Sequence, residues 1–344
     1  MKPQLRLKTL AAAVIACGAL LLPHAAAAKA KTLEDQLLAA AIAYDAKPSA
    51  QKLDKVKALI AKGAKVHFAL SPTQKTQNIS PLNLALFARN YTLVQTFLEQ
   101  KPDLSIPVYD EVLEQPLLYA MKHADADKPS ADDNKIVAAL LAAGPNVNAF
   151  DHDGALSPLL FASGNMPPFP VRVDWQEALL KAGAQPNQQN NEGNTALMST
   201  SAGNLQALQL LLKAGVDAKL KNRNGATAMH YVCERDSALT GKPDPDAETR
   251  IRLLKKAGAD INGMASPDAD IPLGPPLMAA MNSKNPDCVK ALLKLGADPD
   301  GQAYANPAHS VEWKHDKAPL TVREEVLSDT IGMYPAELVK LLRR

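Results

Sequence analysis

Asp151, His152 and Asp153 stand in a row before Gly154, and acidic residues ahead of a glycine are how a calcium loop begins. The residues that follow, ALSPLLF, supply neither a further oxygen ligand nor the closing Glu that such a loop needs. His309 and His315 sit six residues apart in HSVEWKH, a spacing that does not put both on one helix face, so no zinc pair is expected there. Cofactor carriage would need His or Cys ligands facing the groove, and His123 and His152 are the candidates. Cys233 and Cys288 match no zinc or redox spacing; they are either a disulfide or two buried small apolar side chains. The acidic pairs Asp125/Asp127, Asp132/Asp133 and Asp244/Asp246 fall in Pro- and Asp-rich stretches that read as solvated loops. Acid–base work needs carboxylates in a pocket that shifts their pKa values, and nothing in these stretches would build one. No GxSxG, HExxH, P-loop or GxGxxG occurs. The expectation is a chain without catalytic residues, cofactor or metal.

What could these residues be mounted on? Two phrases alternate along the chain. One begins with a capping residue or proline and a short apolar run: SPLNLALF (80–87), QPLLYAMK (115–122), SPLLFASG (157–164), TALMSTSAG (195–203), TAMHYVCE (227–234) and PPLMAAMN (275–282). Ser and Thr are good N-caps, and Pro fits the first helical position. The other is a longer amphipathic run ending on glycine or a variant: VKALIAKGAKV (56–66), VQTFLEQKPDL (94–104), VAALLAAGPNV (137–147), QEALLKAGAQP (176–186), LQLLLKAGVDA (208–218), IRLLKKAGADI (251–261) and VKALLKLGADP (289–299). Its apolar residues share one helical face, and the glycine is placed to close the helix. The predicted unit is a turn, a short helix, a loop, a longer helix and a glycine stop. One such pair cannot bury its apolar face alone, so neighbours must stack.

TAMHYVC and TALMSTSA, with LLKKAGAD and LLKLGADPD, resemble the two phrases of the ankyrin repeat. DHDG (151–154), NNEG (190–193) and NRNG (222–225) resemble its finger tips. The resemblance is strong over 175–300 and looser outside. It implies an all-α repeat solenoid of helix pairs with short β-hairpin or loop fingers, about six to eight repeats in all. The expected organisation is a cap repeat at 29–70, central repeats at 75–300 and a C-terminal cap at 301–344. The cap set is Leu37, Leu38, Ile42, Val56, Leu59 and Ile60 at one end, and TVREEVLSDTIG with YPAELVKLLRR at the other. Spacing between the glycine stops runs from roughly 32 to 43 residues, against about 33 for an ankyrin unit. The extra residues, 123–134, 164–174 and 236–248, fall between the two helices of a unit; 264–274 falls at a finger.

Residues 1–28 have the layout of a secretory signal peptide: Lys2, Arg6 and Lys8, an apolar run from Leu10 to Leu22, and cleavage near Ala28. A lipoprotein acylated at Cys17 is the alternative. The formal net charge of the whole chain is only +2 and no basic block stands out, which argues against nucleic acid or an anionic membrane as partner. The resemblance implies a periplasmic binding protein that meets one protein target through finger tips and the concave face. That nominates His152, Asp153, Asn191, Glu192, Asn194, Arg223 and Asn224, and Phe169 in its proline-braced loop is a further candidate. His230 occupies the motif histidine, whose role is hydrogen bonding within the turn. Two versions are open: an immunity-type inhibitor, or an accessory to an envelope or oxidative-stress enzyme. A self-associating envelope component and a cofactor carrier are the alternatives, and a monomer is expected without the target.

Overall fold

Hydroxyl and amide caps set where the helices begin. Ser80, Ser157, Thr195 and Thr227 each accept a backbone N–H of the helix that follows, and Asn90, Asn204 and Asn285 do the same for longer helices. The N–H groups of a first turn have no intrahelical acceptor, so each cap satisfies a group that burial would otherwise strand. Glycines with positive φ follow the longer helices at Gly63, Gly144, Gly183, Gly215, Gly258 and Gly296.

The computed structural model describes residues 32–68, 79–108, 114–124, 130–164, 170–201, 203–234, 243–266, 274–304, 319–328 and 332–343. These divide into two compact units, one up to Asn146 and one from Val147. In the first unit, α1 (Leu33–Ala46) pairs with α2 (Ala50–Ala61), α3 (Pro81–Phe87) with α4 (Tyr91–Leu98), and α5 (Pro116–Lys122) with α6 (Ala131–Ala142). Helix α1 also packs on α3, α3 on α5 and α4 on α6.

The second unit repeats the scheme. Helix α7 (Pro158–Ala162) pairs with α8 (Val173–Lys181), α9 (Ala196–Thr200) with α10 (Leu205–Lys213), α11 (Ala228–Tyr231) with α12 (Ala247–Lys256), and α13 (Pro276–Asn282) with α14 (Pro286–Lys294). A last pair, α15 (Val322–Leu327) and α16 (Ala336–Leu342), closes the chain against α14. Short helices stack on short ones (α7, α9, α11, α13) and long on long (α8, α10, α12, α14). The buried face of each long helix falls at helical spacing: Trp175 and Leu179, Leu208 and Leu211, Ile251 and Leu254, Val289 and Leu292. Among the described residues no strand forms, and backbone pairing outside the helices is confined to turns, finger contacts and two isolated bridges, Val108 with Glu114 and Gln302 with Thr321.

Not every acidic pair is solvated. Asp133, 3% exposed, accepts from Nε and Nη2 of Arg89 and from the Ser130 hydroxyl. Asp244, also 3% exposed, is held by Arg250, which is fully buried. Two of the acidic residues expected in water thus sit inside, because each has an arginine partner that makes burial of a carboxylate tolerable. Asp125 and Asp127 lie outside the described residues.

Candidate partner-binding face

Three fingers project between repeats of the second unit, and one device builds all three. The side chain of the first tip residue turns back onto its own backbone. Asp151 Oδ1 accepts the N–H groups of Ala155 and Leu156; Asn190 Oδ1 accepts those of Glu192 and Asn194; Asn222 Oδ1 accepts those of Asn224 and Ala226. Two backbone bonds then close each finger: Asp151 N–H to Leu156 O, Asn190 N–H to Asn194 O and Asn222 N–H to Ala226 O, and the N–H groups of Gly154, Gly193 and Gly225 to the carbonyls of Asp151, Asn190 and Asn222. Short polar side chains of this kind stabilise turns in place of a ladder of strand bonds.

The fingers are then stitched to one another. Asn191 N–H donates to Gly154 O at 3.0 Å, Arg223 N–H to Glu192 O at 2.9 Å and Ser266 N–H to Asn224 O at 2.8 Å. Glycine is required where they touch: a Cβ on Gly225, whose φ is +71°, would lie 2.5 Å from the Ser266 nitrogen. Side chains add to the stitching. Asn191 Nδ2 donates to Asp153 O, and Asn222 Nδ2 donates both to Asn194 Oδ1 and to the Tyr231 hydroxyl. Asn194 in turn donates to Glu192 Oε2.

This sorts the nominated residues. Asn191 and Asn194 are spent on holding adjacent fingers together. Glu192 is exposed and shares one carboxylate oxygen with Asn194, and Asn224 is half-buried with its carbonyl in the stitching. His152, Asp153 and Arg223 are exposed, and their side chains make no hydrogen bond or ion pair among the described residues. Phe169 lies outside the described residues, as do His309, His315 and residues 1–31 with Cys17. His123 is exposed at the end of α5, its ring 4.1 Å from that of Tyr119. No group of three or more metal-binding side chains forms among the described residues.

His230 works inside the repeat. Its Nδ1 accepts the Thr227 N–H at 3.0 Å, closing a capping box at the start of α11. Burial holds its pKa down to about 4; the carbonyls of Gly263 and Gly274 oppose that pull, although Nε2 makes no hydrogen bond of good geometry to them. His67 has a parallel role unread from the sequence: it is buried, pairs with Ser80 Oγ at 2.9 Å and with Ile106 O at 3.0 Å, and burial lowers its pKa. Trp175 packs in the core with the Arg172 guanidinium 3.9 Å above its ring.

A second stitching had a visible signal that went unread, an Asn a few residues past several glycine stops. Asn148 Nδ2 donates to Gly183 O and its Oδ1 accepts the Gln185 N–H; Asn187 accepts the Asp217 N–H; Asn262 bonds Gly296 O and the Asp298 N–H. Cys233 and Cys288 are joined by a disulfide, their Cα atoms 5.7 Å apart.

The ankyrin-repeat family model, in three copies, matches residues 174–264 and 202–303. Residues 174–303 thus carry ankyrin repeats, all of them within the second unit. Ankyrin repeats are protein–protein interaction modules, so a protein partner is implied. No curated protein matches the chain. No helix among the described residues is long and apolar enough to cross a membrane.

Proposed function

We propose that the chain is a non-enzymatic binding module of the bacterial periplasm. It docks one protein target along the finger tips and adjoining short-helix face of the second unit, either inhibiting that target or assisting an envelope or oxidative-stress enzyme. The observation that carries this reading is the division of labour at the tips. Asn190, Asn191, Asn194 and Asn222 spend their side-chain amides on holding the fingers, while the side chains of His152, Asp153 and Arg223 are exposed and make no hydrogen bond or ion pair among the described residues. A backbone already braced in this way loses little freedom when a partner docks on it. The Cys233–Cys288 bond supports the location, since such bonds persist in oxidising compartments.

The test is affinity capture from the host envelope with the mature chain as bait. One stoichiometric partner is expected, lost when Asp153 and Arg223 are both changed to Ala with Tm unchanged. Asn191→Ala serves as the contrasting variant, lowering Tm because it breaks the finger contact. Recovery of only the bait itself would favour the self-associating reading; a partner retained by the Asp153/Arg223 double variant would exclude the tips.

A further inference from the structure

Residues 235–242 separate α11 from α12, and the chain on both sides of them is tied to one helical turn. On the N-terminal side Cys233 is bonded to Cys288 in α14. On the C-terminal side Asp244 N–H donates to the Asp287 carboxylate, and Asn285 Nδ2 donates to Asp244 Oδ2. Asn285, Asp287 and Cys288 are the cap and first turn of α14. Arg250 completes the cluster from α12: its guanidinium takes both oxygens of Asp244 and reaches Val232 O, the residue beside Cys233. Arg250 and Asp244 side chains are both 0% exposed, and Arg250 Nε has no acceptor among the described residues. A buried ion pair of this kind is favourable only while its geometry is held.

We propose that the disulfide is an oxidation-gated lock on this part of the binding face. In the dithiol form, α14 is free to draw away from Val232, water reaches the Asp244–Arg250 pair, and α11 to α14 open locally. In the disulfide form they are closed, and the α11 portion of the partner-binding face is fixed. Closing converts two thiols to one disulfide and passes two electrons and two protons to a disulfide-form oxidant, itself reduced to a dithiol. Reopening reverses this with a dithiol reductant. Both cysteines are almost wholly buried, at 1% and 0% exposed, so a thiolate reaches the bond only through prior opening. The lock therefore closes once, on maturation. The link to partner binding rests on the function proposed above; the lock itself does not.

Hydrogen exchange on the mature chain tests it. Relative to wild type, the Cys233→Ser/Cys288→Ser variant is expected to exchange at least tenfold faster at the amides of Asp244, Arg250 and Val289, with Leu208 and Leu211 unchanged. Equal rates at all five would overturn the proposal. Should that variant not fold, the wild type is treated with dithiothreitol with and without moderate urea. Thiols appearing much faster in urea support a bond shielded by closure, and equal rates refute it. Loss of partner capture by the variant with unchanged exchange would also count against the lock. Failure of capture by wild type and variant alike would fault the function, leaving the exchange result to decide the lock.

Discussion

His230 carries the plainest consequence at the scale of one residue. Its folded pKa of about 4 lies below the ordinary value of 6.5, so the unfolded chain binds the proton more readily. Its contribution is intact above pH 6.5 and is lost as pH falls from 6.5 toward 4, on the order of 3 kcal/mol in all. Met198 and Met278 hold the same place in their own repeats. His230→Met is therefore expected to flatten the fall in urea midpoint between pH 7 and 4.5, with His67 accounting for a remaining slope. Asp244→Ala strands Arg250 without its counter-ion and is expected to cost about 3–5 kcal/mol in urea unfolding. Asp133 and Asp244 also mark a limit of reading. Each stands in a polar stretch that looks solvated, and what buries it is an arginine whose pairing the local sequence does not announce: Arg89 is 44 residues away, and Arg250 lies on the face of α12 turned to the core. His230, by contrast, was legible because its partner Thr227 is three residues away in the same phrase.

Among elements, caps and stops were readable and stitching was not. Ser80, Ser157, Thr195 and Thr227 act within one helical turn, so local chemistry announces them. In the sequence Asn191 and Asn194 look like groups offered outward, because their acceptors and donors lie in neighbouring fingers, about a repeat away. The finger contact makes a sharp prediction. Gly225→Ala forces a side chain into positive φ, about 1–3 kcal/mol by itself, and drives Cβ toward Ser266. Gly203→Ala has neither burden, with open space around its Cβ. Thermal unfolding should separate them by several degrees; equal Tm values would mean the fingers part without cost. Leu211→Ala, at a fully buried position of α10, is expected to cost about 2–5 kcal/mol.

For the molecule as a whole, stacked helix pairs make stability a sum of pair terms and interface terms between neighbours. The disulfide adds a term of another kind, closing a loop across a sequence separation of 55. By chain entropy its removal is expected to cost about 4 kcal/mol, read as a drop in urea midpoint for the Cys233→Ser/Cys288→Ser variant. Light scattering on residues 29–344 is expected to give the mass of one copy, and a multiple would favour the self-associating reading. The periodic phrases made the repeat architecture legible; the target was not, because the tips that would meet it, His152, Asp153 and Arg223, are chosen by a surface the chain does not encode.

The same bond has a mechanical side. Pulled from its two ends, a chain of stacked pairs surrenders its length as each pair comes apart. The stretch from Cys233 to Cys288 is withheld from that extension, at roughly 3.5 Å per residue about 190 Å of contour. Tension passes across the sulfur bridge instead and leaves α12 and α13 slack. Under load, the segment holding the buried Asp244–Arg250 pair is the part of the chain that carries no force.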